Sequence, residues 1–306
     1  MAAMADAEGN DRSTNDSPLA PGLYLVATPI GNLGDMTLRA LDVLRGVDRI
    51  ACEDTRQTQK LLNHFQIATP TVSCHEHNER QRAAELVEAL KAGGRIAFVS
   101  DAGLPGISDP GTWLAREAIA ADVPVIPIPG ANAALSALVA SGLPTGAFYF
   151  AGFPPEKAGA RRTWLEQLAA AAGTSPHTVI LYEAPHRILE TLGDLETVCG
   201  PALRVVVARE LTKLHEEFLR GTAASVRAEL AGRDRVRGEI TLLLELPAPA
   251  RPDAVVATEN LAAQVARMQA ADGLDEKEAL KRLARALGQS KSEVYRELQR
   301  ERARRR

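Results

Sequence analysis

Polar side chains able to accept a proton stand directly after several predicted strands in the first half of the chain. Glu53 and Asp54 follow one short apolar run, His75 and His77 follow the next, and Asp101 follows a third. Because the carboxyl ends of parallel strands meet at one edge of a sheet, we expect these groups to face a common crevice. Carboxylates and imidazoles held in this way can take a proton from a bound substrate. The spacing therefore predicts a small-molecule site.

One of these strand ends continues into a loop rich in glycine and proline, which spans residues 100–111. Its glycines allow a ligand to approach the backbone closely, while Pro105 and Pro110 stiffen the chain. The loop has no lysine and matches neither the phosphate-binding pattern nor the dinucleotide pattern, which argues against a nicotinamide-dependent dehydrogenase. A neutral or cationic ligand suits this composition, and a simple strand-to-helix turn is the alternative.

Three further clusters allow both a structural and a functional interpretation. The segment 53–56 offers either a general base or an ion pair that holds its loop. Residues 75–77 lack metal-ligand spacing because neighbours on a strand point to opposite faces, and we expect no metal. In the second half of the chain, Arg187, Arg209 and Lys213 follow strands, and these cations either bind phosphates or form a solvated rim.

Composition excludes several classes of protein. The 306 residues carry a net charge of −3 and three cysteines, which fits reduced thiols better than disulfides or a zinc site. No apolar run approaches the ~20 residues of a membrane helix, and the first residues do not resemble a signal peptide, so we expect a cytoplasmic protein. Residues 300–306 are rich in arginine, and with nearby glutamates they predict either nucleic-acid binding or a salt-bridged surface.

The elements that position these groups alternate between strand and helix. From Gly22 to Val139 the alternation predicts a parallel sheet, and a less regular order follows. We expect five segments: a disordered acidic tail over 1–20, a parallel-sheet α/β domain over 21–143, a mixed-sheet α/β domain over 147–247, a linker over 248–257, and a basic helix-turn-helix-like module over 258–306.

Several segments taken together resemble one family closely, from about Gly22 to the C-terminus. The family is ribosomal RNA small subunit methyltransferase I, within the tetrapyrrole methylase superfamily. The segments that carry the likeness are Leu25–Asp35, Cys52–Arg56, His75–Glu79, Val99–Gly111, Ile128–Ala133, Leu181–Arg187 and Arg209–Lys213. No single segment is specific, but the combination is.

The resemblance implies a tetrapyrrole-methylase-like fold, in which two α/β domains enclose a ligand cleft and a small helical module follows. It implies a homodimer that uses S-adenosylmethionine to methylate a cytidine ribose at the 2′-oxygen, in the decoding region of 16S rRNA within the small ribosomal subunit. Donor-binding residues carried over from the family are Pro29, Asp101, Leu104, Ile107, Asn132, Ala133, Tyr182, Ala184, Ala208 and Gly238.

The implied reaction is displacement of a methyl group from a sulfonium by a ribose hydroxyl. The sulfur leaves as a neutral thioether, so the reaction needs alignment at about 3–3.5 Å and removal of the hydroxyl proton. Candidate bases are Glu53, Asp54, His75 and Glu210, with Lys213 a further candidate if its pKa is lowered. Candidate substrate-binding residues are Arg56, His77, Asn78, Arg187 and Arg209. The 2′-hydroxyl distinguishes RNA from DNA, so we expect no DNA substrate.

Two alternatives keep parts of this interpretation. A porphyrin or corrin C-methyltransferase has the same fold, but Ser100-Asp101-Ala102 stands where members that methylate corrins often have Gly-Asp-Pro. That departure argues against a tetrapyrrole substrate but does not argue against donor binding. A non-catalytic RNA-binding protein, built around the C-terminal helices, is the second alternative.

Overall fold

The computed structural model describes residues 19–75, 78–170, 177–246, 261–272, 275–287 and 291–304. Most of the predicted N-terminal tail and the whole predicted linker lie outside these residues. The described chain divides into two compact units, one formed by residues up to 167 with 178–245, the other by 168–177 with 246–306. The domain boundaries predicted above stay predictions.

The first sheet is fully parallel, as the alternation of elements predicts. Its strands are β1 (Gly22–Val26), β2 (Arg49–Cys52), β3 (Thr71–Ser73), β4 (Arg95–Val99) and β5 (Val125–Ile128). Their order is β3-β2-β4-β1-β5, and each described pair of neighbours is parallel. Side chains alternate between the two faces, so Cys52 and Val99 join one core cluster while Ala51 and Phe98 join the other. Burial of both faces explains the short apolar runs in the sequence.

Five helices connect these strands or follow the last of them. They are α1 (Leu38–Gly46), α2 (Thr55–His64), α3 (Glu79–Lys91), α4 (Thr112–Ala120) and α5 (Ala133–Ser141). Threonine is favoured at helix N-termini, so the sequence predicts Thr37 as the cap of α1, and the structure confirms it: Thr37 accepts the Ala40 N–H at 3.1 Å. The spacing of leucines in α1 also predicts that Leu38 faces the core. That expectation is wrong: Leu38 is 80 % exposed, since the buried face consists of Ala40, Val43 and Leu44.

The second sheet is mixed, in agreement with the less regular order of its elements. Its strands are β6 (Phe148–Gly152), β7 (His177–Glu183), β8 (Arg204–Arg209), β9 (Glu217–Thr222) and β10 (Ile240–Leu246), in the order β6-β7-β10-β8-β9. The β6–β7 pair is parallel, whereas β8 pairs antiparallel with both β9 and β10. The accompanying helices are α6 (Ala158–Ala170), α7 (Ile188–Cys199) and α8 (Ala223–Ala231). The buried guanidinium of Arg161 joins α6 to α7 through Glu190 at 3.2 Å and Asp194 at 2.7 Å.

Three helices, α9 (Leu261–Asp272), α10 (Glu276–Leu287) and α11 (Lys291–Arg304), form the C-terminal part. They share an apolar core that includes Val265, Leu283 and Leu298. The sequence predicts Asp275 as the cap of α10, because aspartate is favoured at helix N-termini, and its acceptance of the Glu278 N–H at 2.7 Å confirms this. Within the described residues, no helix combines the length and the apolar character needed to cross a membrane.

Candidate functional site

A cavity of about 310 Å³ lies between the two sheets of the first compact unit, and we call it the inner cavity. Its walls come from the 100–111 loop, the start of α5, and the ends of β7, β8 and β10. Seven of the ten predicted donor-binding residues line it: Leu104, Ile107, Asn132, Ala133, Tyr182, Ala184 and Ala208. The structure therefore brings together residues that lie more than a hundred positions apart in the sequence, although their role stays a prediction.

The 100–111 loop is fixed at both ends by hydrogen bonds. At its start, Thr28 and Gly103 exchange two backbone hydrogen bonds of 2.8 and 3.0 Å, which tie the end of β1 to the loop. At its end, the Glu79 carboxylate accepts the N–H groups of Gly111 at 3.0 Å, Trp113 at 3.2 Å and Leu114 at 3.3 Å. One side chain from α3 thus satisfies donors at the start of α4 that the helix itself leaves unpaired.

Asp109 supplies a carboxyl group to the wall of the inner cavity. Burial raises the pKa of Asp109 to about 6, with the charges of Glu53 and Asp101 adding to the effect and a hydrogen bond with Ser100 opposing it. Burial also raises the pKa of Tyr182, and the charge of Asp109 contributes, so the two groups lie close together. The sequence interpretation missed Asp109 because it assigned only the first carboxylate of the loop, Asp101. The second aspartate in a ligand-binding loop was the available signal.

A second cavity of about 360 Å³ adjoins the first and shares Ile30, Ala102 and Glu239 with it; we call it the outer cavity. The predicted donor-binding residues Pro29 and Asp101 line this cavity and not the inner one. The Asp101 carboxylate is exposed and accepts the Asp54 N–H at 3.2 Å. It therefore connects the loop to the strand end at residues 53–56.

Lys213 reaches the outer cavity from a turn with unusual backbone conformation. Glu210 and Thr212 have φ values of +53° and +65°, in a region that non-glycine residues occupy rarely and often at functional sites. Lys213 Nζ donates hydrogen bonds of 3.0 Å to both Glu210 and Glu239. Burial alone lowers the pKa of Lys213, but these hydrogen bonds outweigh burial and raise it. Lys213 was a candidate base only if its pKa is lowered, and this condition is not met here, because its pKa is raised and an ammonium group is favoured.

Two glycines make room for the paired side chains of this turn. A Cβ on Gly31 would overlap the side chain of Lys213, and a Cβ on Gly238 would overlap that of Glu210. Gly238 was expected to contact the donor, yet it is not among the described residues that line either cavity. Its position beside Glu210 gives it a supporting role for the Glu210–Lys213 pair.

Asp54 and Arg56 form the ion pair that was one of the two interpretations of their segment. Asp54 caps α2 by accepting the Arg56 N–H at 2.8 Å, and the Arg56 side chain donates to the same carboxylate at 2.9 Å. The sequence pattern predicts a helix from Thr58 to Phe65, and this start is wrong: with the Asp54 cap, the helix begins at Thr55. The hydrogen bond from the Arg56 side chain is the main cause that lowers the pKa of Asp54 to about 2, which makes it a weak proton acceptor.

The remaining predicted residues are placed as follows. Asn78 accepts the His75 N–H at 2.8 Å, and His77 lies outside the described residues. Arg187 donates to the Pro154 carbonyl at 2.7 Å and pairs with Glu183, while Arg209 pairs with Glu217 at 2.9 Å. These two arginines hold internal contacts and do not line either cavity.

Glu53 is half-buried, and its charge contributes to the raised pKa of Asp109. The part of the chain that the structure describes contains no cluster of histidine, cysteine and acidic residues able to hold a metal ion.

Comparison with known proteins adds an independent finding. The family described as Tetrapyrrole (Corrin/Porphyrin) Methylases matches residues 22–227. The ribosomal RNA small subunit methyltransferase I of Synechocystis sp. is 48 % identical over 89 % of this chain and 95 % of its own length. The protein of the same name from Vibrio cholerae is 51 % identical over 74 % of this chain and 77 % of its own. The uroporphyrin-III C-methyl transferase of Thermus thermophilus, solved with S-adenyl homocysteine, superposes with a TM-score of 0.50 at 18 % identity, over 73 % of this chain and 96 % of its own. That last likeness shows a shared fold.

Proposed function

Because the chain belongs to the ribosomal RNA small subunit methyltransferase I family of tetrapyrrole methylases, we propose that it methylates 16S rRNA at the 2′-oxygen of a cytidine ribose. S-adenosylmethionine is the methyl donor, and the target lies in the decoding region of the small ribosomal subunit. The observation that carries the proposal is the inner cavity, whose walls contain seven of the residues expected to hold the donor.

The chemistry of the inner cavity suits this donor. Its volume of about 310 Å³ lies at the lower end of the roughly 300–1,000 Å³ range of small-molecule sites. Leu104, Ile107 and Leu211 offer apolar surface for an adenine ring. Asp109 offers a carboxylate to a cationic sulfonium, which an electron-rich ring such as that of Tyr182 also stabilises.

The outer cavity is then the place for the acceptor ribose. Lys213 donates a hydrogen bond to the attacking oxygen and stabilises the negative charge that develops on it. The new bond joins this oxygen to the methyl carbon, the carbon–sulfur bond breaks, and the sulfonium becomes a neutral thioether. We assign the hydroxyl proton to Glu53, which follows β2 next to Asp54, the residue whose N–H donates to the Asp101 carboxylate of the outer cavity. Asp54 and Glu210 are weaker acceptors because hydrogen bonds lower their pKa values, and His75 is the second candidate.

We also propose a homodimer, as the family resemblance implies. Two features support it: Leu135 and Val139 of α5 are 48 % and 77 % exposed, and Phe148 and Tyr149 are exposed on β6, which ends its sheet. Large apolar groups left at a surface are typical of protein interfaces. Sedimentation analysis is expected to give twice the chain mass, and replacement of Val139 by aspartate is expected to shift the protein to monomer.

The decisive experiment uses small ribosomal subunits that lack the modification. The protein and S-adenosylmethionine are incubated with these particles, and 2′-O-methylation is mapped by reverse-transcription stops at low nucleotide concentration. A donor-dependent stop at one cytidine of the decoding region is the expected result. Absence of the stop, with methylation of a porphyrinogen in a parallel reaction, would identify a tetrapyrrole methyltransferase instead. Failure to bind the donor in calorimetry would leave only a non-catalytic RNA-binding role.

A further inference from the structure

Two arginines lie over the ring of one tryptophan at the surface of the first compact unit. The guanidinium carbon of Arg80, on α3, lies 4.9 Å from the ring centre of Trp113, on α4, and that of Arg116 lies 5.5 Å from it. Both arginines are exposed, whereas Trp113 is half-buried and packs against the core below. We call these three residues the Arg–Trp–Arg surface.

Among the described residues, the arginines of this surface take part in no ion pair, unlike Arg82 on the same helix. Arg82, two positions along α3, pairs with Glu85, but none of the ion pairs among the described residues includes Arg80 or Arg116. Arg80 is also the second residue of α3, where the helix dipole disfavours a cation. A cation held at this end of a helix, and outside the ion pairs of the described residues, points to an anionic ligand.

The position of the surface relates it to the candidate site. Helices α3 and α4 follow β3 and β4, so their first turns lie at the sheet edge where the loops form the cavities. Trp113 is four positions after Asp109, which lines the inner cavity. Glu79, adjacent to Arg80, holds the start of α4 through its hydrogen bond to Gly111. The surface therefore lies at the same edge of the sheet as the loops that form the two cavities, along which a bound RNA chain would continue.

The chemistry of the surface favours single-stranded RNA as the ligand. Stacking on the indole fixes the plane of each guanidinium and leaves N–H groups along its edge, which match the geometry of a phosphate. The outer face of a fixed guanidinium can also stack on an unpaired base, a contact common in RNA recognition. The chain as a whole has a net charge of −3, so attraction of a polyanion depends on local patches of this kind.

We propose that the Arg–Trp–Arg surface binds the RNA strand that flanks the methylated nucleotide, with each arginine contacting one phosphate. This inference rests on the proposed function and adds a substrate contact outside the two cavities. It also separates two tasks: the cavities carry out methyl transfer, and the surface holds the strand in register.

The test compares the parent protein with Arg80→Gln, Arg116→Gln and the double variant. Arg49→Gln is the matched control, because Arg49 is an exposed arginine at the start of β2, on the opposite edge of the sheet. Binding of a single-stranded 16S rRNA fragment is measured as a function of salt, and donor binding is measured by calorimetry. The double variant is expected to bind RNA at least tenfold more weakly. The slope of log K against log salt is expected to flatten by about 0.7 for each arginine.

Donor affinity, kcat at saturating RNA and thermal stability are expected to stay at parent values, so that the loss appears in KM for RNA. The double substitution of Arg80 and Arg116 by lysine keeps both positive charges but loses the paired N–H groups of the guanidinium. This variant is expected to have the salt slope of the parent protein but a lower affinity for RNA. The proposal is overturned if the double variant binds and methylates RNA like the parent and the control. It is also overturned if only binding to whole ribosomal particles weakens, since the partner would then be a ribosomal protein. A parent protein that neither binds the RNA fragment nor methylates small ribosomal subunits would overturn the proposed function itself.

Discussion

Lys213 Nζ lies 3.0 Å from Glu210 Oε1, and both residues belong to a turn whose backbone is held in a rarely occupied conformation. This pair keeps an ammonium group at the wall of the outer cavity. We expect Lys213→Met to lower kcat for RNA methylation about 100-fold or more, because one charge-stabilising donor is lost in the transition state. Single-turnover methylation measures the effect.

Lys91→Met provides the control for this substitution, because Lys91 also pairs with a glutamate, Glu88 at 2.9 Å, but lies at the far end of α3. Its kcat is expected to equal that of the parent. Donor affinity is expected to stay within about twofold in both variants, since Lys213 does not line the inner cavity. Normal turnover in Lys213→Met would show that the ammonium group takes no part in the reaction.

The Glu79 carboxylate gives a second prediction, since it accepts three backbone N–H groups at the start of α4. Glu79→Gln removes the charge and weakens these hydrogen bonds. We expect a loss of about 1–2 kcal/mol in the free energy of unfolding and roughly tenfold weaker donor binding. Urea denaturation and calorimetry measure the two effects. Glu85→Gln on the same helix removes an exposed ion pair and is expected to change either quantity little. Equal effects in the two variants would contradict the anchoring role of Glu79.

Asp109 gives a pH dependence of donor binding. The pKa of this carboxyl group is about 6 in the folded protein. A cationic sulfonium favours the ionised form, so donor affinity is expected to fall as the pH falls through about 6. In Asp109→Asn the affinity is expected to be weaker at pH 7 and flat between pH 5 and pH 7. S-adenosylhomocysteine, which lacks the positive sulfur, serves as the control ligand and is expected to show little change. A flat profile for S-adenosylmethionine with the parent protein would sink this assignment.

The same carboxyl group affects stability in the opposite direction. Its folded-state pKa of about 6 exceeds the reference value of 3.8, so the folded state binds more protons between these two pH values. The contribution of Asp109 to the free energy of unfolding therefore decreases as the pH rises through this window. Asp109→Asn is expected to raise Tm at pH 7 by an amount that shrinks toward pH 4. Scanning calorimetry at several pH values checks the trend.

Gly238 allows a prediction in which backbone strain and side-chain overlap can be separated. Gly238 has a φ of +86° and faces Glu210, whereas Gly142 has a φ of +80° and a Cβ added there would have no heavy atom of the described residues within 4 Å. Substitution by alanine at either position is expected to cost about 1–2 kcal/mol of backbone strain. Only Gly238→Ala is expected to displace Glu210 and reduce methylation further. Parallel measurements of unfolding free energy and kcat make the comparison, and equal kcat values would contradict the supporting role of Gly238.

Local sequence patterns predicted the elements well where those elements are determined locally. The alternation of apolar runs and amphipathic segments predicted the parallel sheet, and Thr37 and Asp275 were identified as caps because a cap acts on residues next to it. The cluster of residues around the inner cavity came from the family resemblance. No periodicity relates Leu104 to Ala208, because the fold alone brings them to one wall.

Properties that depend on distant neighbours could not be predicted in this way. The high pKa of Asp109 arises from burial and from charges on other segments, and the raised pKa of Lys213 arises from Glu210 and Glu239. The start of α2 was placed too late because Asp54 was considered as a base and not as a cap. For Asp109 and Lys213 the deciding contacts include residues that only the fold brings together, whereas the Asp54 cap is a local contact that the sequence could have indicated.

The anchoring of α4 by Glu79 connects two binding events. The carboxylate belongs to the helix that carries Arg80, and it holds the end of the loop that lines the inner cavity. If the donor and the RNA each favour one position of this anchor, their binding is thermodynamically coupled. The donor then changes the RNA affinity by the same factor by which RNA changes the donor affinity. Loss of the anchor would bring that common factor toward one, so the two substrates would bind independently of each other.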